Sequence, residues 1–308
     1  MSEFFNELPQ GLHLLDLPQS MAGFRCFVSS WFFVDLKGRR VVVDPGPASS
    51  IPALLEKLAS VTDEVDLILL THIHIDHSGG VGHLCDRYRS AKVVAHPKAC
   101  RNLNSPEKLW QASLATLGDV AVMYGEPKPL APEKLVGYDC EILSGIEVLE
   151  TPGHAPHHIT FILPFNGDRL VFVGESMGSR APVKSGVQYL RPATPPKLDL
   201  PTMHESLAKL ESGMRGDELL CYGHWGAARD PKTRIAAAGK QLNDWLGVIS
   251  GMKDRAAGEI VEYLISNDPF LAGYSSLPED MRSRERFFIQ SSVEGFLGYL
   301  RDAKNGKK

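Results

Sequence analysis

The sequence contains no run approaching the roughly 18 uninterrupted apolar residues that a membrane-spanning helix needs, so no membrane partner is expected. Cysteine is sparse and scattered. Cys26, Cys85, Cys100, Cys140 and Cys221 are odd in number, widely spaced and without a C-x-x-C pair. That pattern argues against a disulfide framework and a cysteine zinc site, and is expected of free thiols in a reducing cytoplasm. Long basic runs are also missing. The formal charge is −4 and the KNGKK tail reads as a short solvated end, which leaves no electrostatic footprint for nucleic acid. The opening MSEFFNELPQ has no basic segment followed by an apolar one, so no secretory signal is expected and the location read from the sequence is cytoplasmic. No internal repeat is visible.

What remains is an ordinary globular composition, 43% hydrophobic and 23% charged over 308 residues, enough for one large domain or two moderate ones. Strand-like segments rich in Val, Phe and Leu alternate with helical patterns through the first two thirds: FRCFVSSWFFVDL, RRVVVDPG, the continuous apolar run VDLILL, then AKVVAHP, EVLE, HHITFILP and RLVFVGES. VDLILL has the pattern of a strand buried on both faces. SPEKLWQASLATLGDVAVMYG reads as one helix that Ser105 caps and Pro106 opens. Residues 180–202 carry five prolines and little periodicity, as a long ordered loop beside a site would. From about residue 231 the composition turns helical, with stripes at Leu242, Trp245, Leu246, Ile249 and Met252 and again at Ile289, Val293, Phe296, Leu297 and Leu300. The expected organisation is an α/β core over residues 1–230, with two sheets and helices outside them, and a helical region over 231–308.

Chemistry concentrates at THIHIDHSGG, residues 71–80, directly after VDLILL. In extended chain, residues two apart point the same way, so His72 and His74 can converge on one ion. Asp76 and His77 fall where the chain turns and can serve a neighbouring ion. Imidazole and carboxylate together suit zinc, iron or manganese rather than calcium or magnesium. Burying three histidines and an aspartate without a cation would leave them competing for partners at high cost.

This H-x-H-x-D-H run resembles the signature of the metallo-beta-lactamase superfamily, whose fold is an αββα sandwich with metal ligands on loops at one edge of two facing sheets. The resemblance extends over roughly residues 10–228. It implies further ligands after later strands: His154 in ETPGHAPHHI, Glu175 in RLVFVGES where the family carries Gly-Asp, and His224 in LLCYGHWG. On this reading His72, His74 and His154 bind a first divalent ion, and Asp76, His77 and His224 a second. Glu175 stands at the bridging position, reaching one methylene further than the usual aspartate. Zinc is the default metal, with iron or manganese as alternatives. VVVDPGP places Asp44 beside the ligands, and His157 is assigned to orient one of them. Tyr189 and Tyr222 are candidates to donate a hydrogen bond to substrate.

The same resemblance implies a metal-dependent hydrolase that opens a thioester, lactone or other ester through a metal-bridging hydroxide, with Asp76 assisting proton transfer. Its glyoxalase II, lactonase and quinolone-signal thioesterase-like branches carry helical C-terminal segments, so residues 231–308 are expected to cover the metal cleft or to form a homodimer interface. The apolar residues there point to a small acyl or aromatic substrate, although packing accounts for most of them. Two other readings stay open: a diiron redox or oxygen-handling protein, and a ligand-binding signalling protein with vestigial hydrolysis.

Overall fold

A computed structural model of the chain describes residues 8–138, 140–184 and 187–304. One sheet contains β1 (His13–Asp16), β2 (Ser29–Val34), β3 (Arg40–Val43), β4 (Leu67–Leu69), β5 (Lys92–Val94) and β6 (Leu135–Val136), side by side in that order. A second sheet is built from β7 (Glu147–Glu150), β8 (Ile159–Phe165), β9 (Asp168–Gly174), β10 (Leu219–Tyr222) and β11 (Ala227–Ala228), in spatial order β11-β10-β9-β8-β7. The first sheet is antiparallel from β1 to β3 and parallel from β3 to β6. Helices α1 (Ile51–Ala59), α2 (Ile75–Ser78), α3 (Val81–Arg87), α4 (Pro97–Asn104), α5 (Glu107–Leu117) and α6 (Asp119–Tyr124) accompany it. Later in the chain come α7 (Leu200–Gly213), α8 (Pro231–Gly251), α9 (Ala257–Asn267) and α10 (Glu279–Lys304).

Strand alternation explains how one chain fills three apolar layers. Successive side chains of a strand point to opposite faces. Val41, Val43, Leu67 and Leu69 therefore meet Phe161, Phe172 and Leu219 between the sheets. Val42 and Ile68 face outward, against Leu54, Leu58 and Leu84 of α1 and α3. On the far side Val171 and Val173 pack with α7 to α10 through Leu207, Trp245, Ile260 and Phe296. Both helical stripes read from the sequence supply this last layer, and the region from Pro231 onward shares its core with the second sheet. The architecture is the expected αββα sandwich with a C-terminal helical region.

The single helix expected after Ser105 is two helices. Gly118 has φ 55° and ψ −125°, which ends α5 and starts α6 on a new axis. Ser105 closes α4 instead of capping α5, and α5 opens at Pro106 without a side-chain cap. The proline-rich segment 180–202 is tied to α10. Tyr189 Oη and Arg191 Nε donate to Glu285 Oε2 at 2.7 and 2.8 Å, and Ser292 Oγ donates to the Pro192 carbonyl at 3.0 Å. All five cysteines are free. No helix among the described residues is long and apolar enough to cross a membrane.

Candidate metal centre

Each chemically interesting residue sits just past the end of a strand. His72 and His74 follow β4, with His74 at the N-cap of α2, which carries Asp76 and His77. His154 follows β7, Glu175 follows β9 and His224 follows β10. Glycines let these segments approach closely. A Cβ on Gly174, where φ is 51°, would lie 2.4 Å from His158 Nε2. One on Gly223 would lie 2.8 Å from the His77 ring. Only glycine fits a position that is both crowded and left-handed. The sheets are joined at this edge, where Ile159 N donates to the Thr71 carbonyl at 2.8 Å and Ser29 N to the Gly223 carbonyl at 3.0 Å.

The side chains gather around one carboxylate. Glu175 Oε2 lies 2.9 Å from His154 Nε2, 3.4 Å from His72 Nε2 and 3.5 Å from His77 Nε2, and Oε1 lies 3.3 Å from His224 Nε2. Asp76 Oδ2 is 3.4 Å from both His77 Nε2 and His224 Nε2. His74 Nδ1 faces His154 Nε2 at 2.8 Å. Two groups result, His72/His74/His154/Glu175 and Asp76/His77/Glu175/His224, and within each the donor atoms all lie within 4.8 Å of one another. Glu175 belongs to both.

The donor set fits divalent metal ions on three counts. Ligands about 2.0–2.1 Å from a tetrahedral zinc stand about 3.3 Å apart, close to most of these spacings. His72 Nε2 and both nitrogens of His77 are buried without a hydrogen-bond partner, an expense that coordination removes. The imidazoles are also set in the tautomer a ligand needs. Thr71 Oγ1 donates to Asp44 Oδ2 at 2.7 Å, so its remaining capacity accepts from His72 Nδ1 at 3.1 Å. His154 Nδ1 donates to the Ala193 carbonyl at 2.8 Å and His224 Nδ1 to the Phe27 carbonyl at 3.3 Å. In all three rings the Nε2 lone pair is left facing the centre.

The electrostatics show a centre that draws positive charge: against the lowering that burial imposes, Asp76 raises His77 and Glu175 raises His224. Burial, then the neighbouring His154, pushes the His74 imidazole down to about 3, so it is neutral. Burial alone would raise the Asp76 carboxyl, but the neighbouring His77 and His224 outweigh it and hold the group at about 2. Glu175 is likewise held well below the usual carboxylate range, with His154 and His224 overcoming its burial.

Asp44 stands where expected, accepting from Thr71 N at 2.8 Å and lying 3.5 Å from His77 Nδ1. The assignment of His157 needs correcting. It is His158, fully buried, whose Nε2 accepts the Glu175 amide at 3.1 Å while its Nδ1 bonds Thr151 Oγ1 at 2.9 Å. His157 has a ring 6.2 Å from His74 and no bond to a ligand. The strand pattern contains the signal that separates them: His158 and Thr160 lie two apart, and both meet Thr151. Tyr189 and Tyr222 are not at a substrate surface. Both are buried in the outer core, the Tyr189 hydroxyl is taken by Glu285, and Arg180 covers the Tyr222 ring. Ser179, whose hydroxyl donates to Glu175 Oε1 at 3.1 Å, was not anticipated.

An αββα sandwich with two histidine–carboxylate groups at one edge of its sheets defines a class of metal-binding proteins. The sequence profile of the metallo-beta-lactamase superfamily matches residues 24–224, and the chain belongs to that superfamily. It is 33% identical over 178 residues to a metallo-beta-lactamase fold-containing protein of Sulfurisphaera tokodaii, a match covering 55% of this chain and 62% of the relative. It is also 32% identical over 148 residues to the hydroxyacylglutathione hydrolase of Stenotrophomonas maltophilia, covering 47% of this chain and 46% of that one. Both matches thus span less than two thirds of the relative's length. Among solved structures, an archaeal metallo-beta-lactamase superfamily protein from Sulfolobus tokodaii aligns with a TM-score of 0.61 at 25% identity, covering 86% of this chain and 99% of that one.

Proposed function

We propose that the protein is a metal-dependent hydrolase that cleaves an acyl bond, a thioester or a lactone or other ester, with two divalent cations, zinc by default. One observation carries the reading: the Glu175 carboxylate stands between two histidine groups, and its oxygens meet imidazole nitrogens from both. His72, His74 and His154 would hold one ion, Asp76, His77 and His224 the other, and Glu175 both. Bound there, the cations would supply Lewis acidity for the acyl oxygen and an activated water near neutral pH.

The chain's own residues do the rest. Asp76 is one of two ligands that are only partly buried, His74 being the other, and its side chain is 13% exposed against 0% for His77 and 3% for His224. An ionised carboxylate there can take the proton lost by the attacking water and pass it to the leaving group. The kinship with a protein named hydroxyacylglutathione hydrolase favours an acyl thioester among the candidate bonds. Residues 231–308 serve as a cover in this reading. Phe288 of α10 lies 5.2 Å from Phe27, whose ring stacks on His224 at 4.1 Å.

The test is elemental analysis and an optical spectrum of protein purified without added metal, followed by a panel of esters, lactones and thioesters. Two equivalents of metal with turnover of at least one acyl class is the expected result. Metal-replete protein inactive across the panel, or an absorbing diiron centre without hydrolysis, overturns the proposal.

A further inference from the structure

Glu175 is held at both ends of its residue. At the root, its amide donates to His158 Nε2 at 3.1 Å. At the tip, the hydroxyl of Ser179, a residue 0% exposed, donates to Oε1 at 3.1 Å. A tight turn delivers that hydroxyl, with Gly178 N donating to the Glu175 carbonyl at 3.1 Å. Gly178 has φ 86°, and a Cβ there would lie 2.4 Å from the Arg191 carbonyl oxygen, so only glycine fits. Ser179 and Arg191 then exchange both backbone hydrogen bonds, at 2.9 and 3.0 Å. One residue on, Arg180 N donates to the His224 carbonyl at 3.3 Å.

The two carboxylate oxygens keep different company. Oε2 meets nitrogens of both groups: His72 and His154 of the first at 3.4 and 2.9 Å, and His77 of the second at 3.5 Å. Oε1 lies 3.3 Å from His224 Nε2 and accepts the Ser179 hydroxyl. The terminal torsion of a glutamate is broad and nearly two-fold, so an untethered carboxylate can exchange its oxygens or give one to each ion. A donor fixed on Oε1 removes that freedom. We propose that Ser179 is a positioning residue of the metal centre, which by holding Oε1 makes Oε2 the oxygen that both ions share. The proposal rests on the two-ion reading above and is independent of which acyl bond is cleaved.

Ser179→Ala removes one oxygen and adds no atom, whereas Ser179→Thr retains the hydroxyl. The metal-free proteins are titrated with zinc against a competing chelator, and their dicobalt forms are compared by visible absorption. Ser179→Ala should still take two equivalents, with the weaker-bound zinc held about tenfold to a hundredfold less tightly. Its cobalt bands should change, and Ser179→Thr should restore both readouts. On the Glu175→Asp background, Ser179→Ala should alter zinc affinity by less than about twofold, because the shorter carboxylate sits back from the hydroxyl and the contact is already lost. Unchanged affinity and cobalt bands in Ser179→Ala overturn the proposal. So does a loss in Ser179→Thr as great as in Ser179→Ala, or an equal loss on both backgrounds, the mark of a merely structural hydroxyl. Wild-type protein that saturates with one equivalent overturns the two-ion reading itself, a result read before any variant is compared.

Discussion

At the scale of the residue, the centre depends on imidazole lone pairs aimed by backbone carbonyls and hydroxyls, so deletions there should act on metal before fold. His72→Ala or His154→Ala should lose the first ion and all hydrolysis, read by elemental analysis and turnover; full occupancy in either would sink the ligand assignment. Glu175→Ala should release both ions, because its carboxylate meets both groups. Glu175→Asp should keep two, which metal content measures directly. These residues differed in how legible they were. H-x-H-x-D-H is contiguous, and its meaning survives without a fold. His158 and Ser179 were harder, since their contacts to Glu175 come from strand register and a turn that the sequence does not spell out.

At the scale of the element, α10 is fastened to the proline-rich loop by a buried charge network. Glu285 is 0% exposed and accepts from Tyr189, Arg191 and Arg284. Burial alone would raise its carboxyl, but Arg191 and Arg284 hold it at about 2. A depressed carboxylate stabilises the fold above its unfolded pKa, and that contribution fades as pH falls from about 4.5 towards about 2. Glu285→Gln should cost about 3–5 kcal/mol in urea unfolding near neutral pH, because two buried guanidinium groups lose their partner. The gap to wild type should narrow through that acid window, and a constant gap would refute the assignment. The loop also supplies the Ala193 carbonyl to His154, so the variant should bind its first ion less tightly. Apolar periodicity located α8 and α10, but it missed α4 and α7 and ran straight through Gly118, where backbone conformation outranks side-chain pattern.

For the whole molecule, the layered core makes the C-terminal helices part of one cooperative unit. Removing residues 231–308 would bare Val171, Val173 and Leu220 of the second sheet. Such a truncation should be insoluble or lack a cooperative melt; a soluble, fully active product would show the helices to be dispensable. Two groups of strands among helical segments made two sheets with helices outside them readable, and the family resemblance supplied the αββα sandwich. The tyrosine candidates failed because nothing local says which buried face a tyrosine joins. The ligands themselves are unevenly distributed: His72, His74, Asp76 and His77 lie within six residues, whereas His154, Glu175 and His224 arrive from far along the chain. An unfolded chain therefore still carries a local chelator. Metal that binds both the native and the denatured ensemble stabilises by only the difference between the two affinities. The melting temperature should consequently rise with metal concentration and then level off, and a nascent chain can be loaded before its second sheet exists.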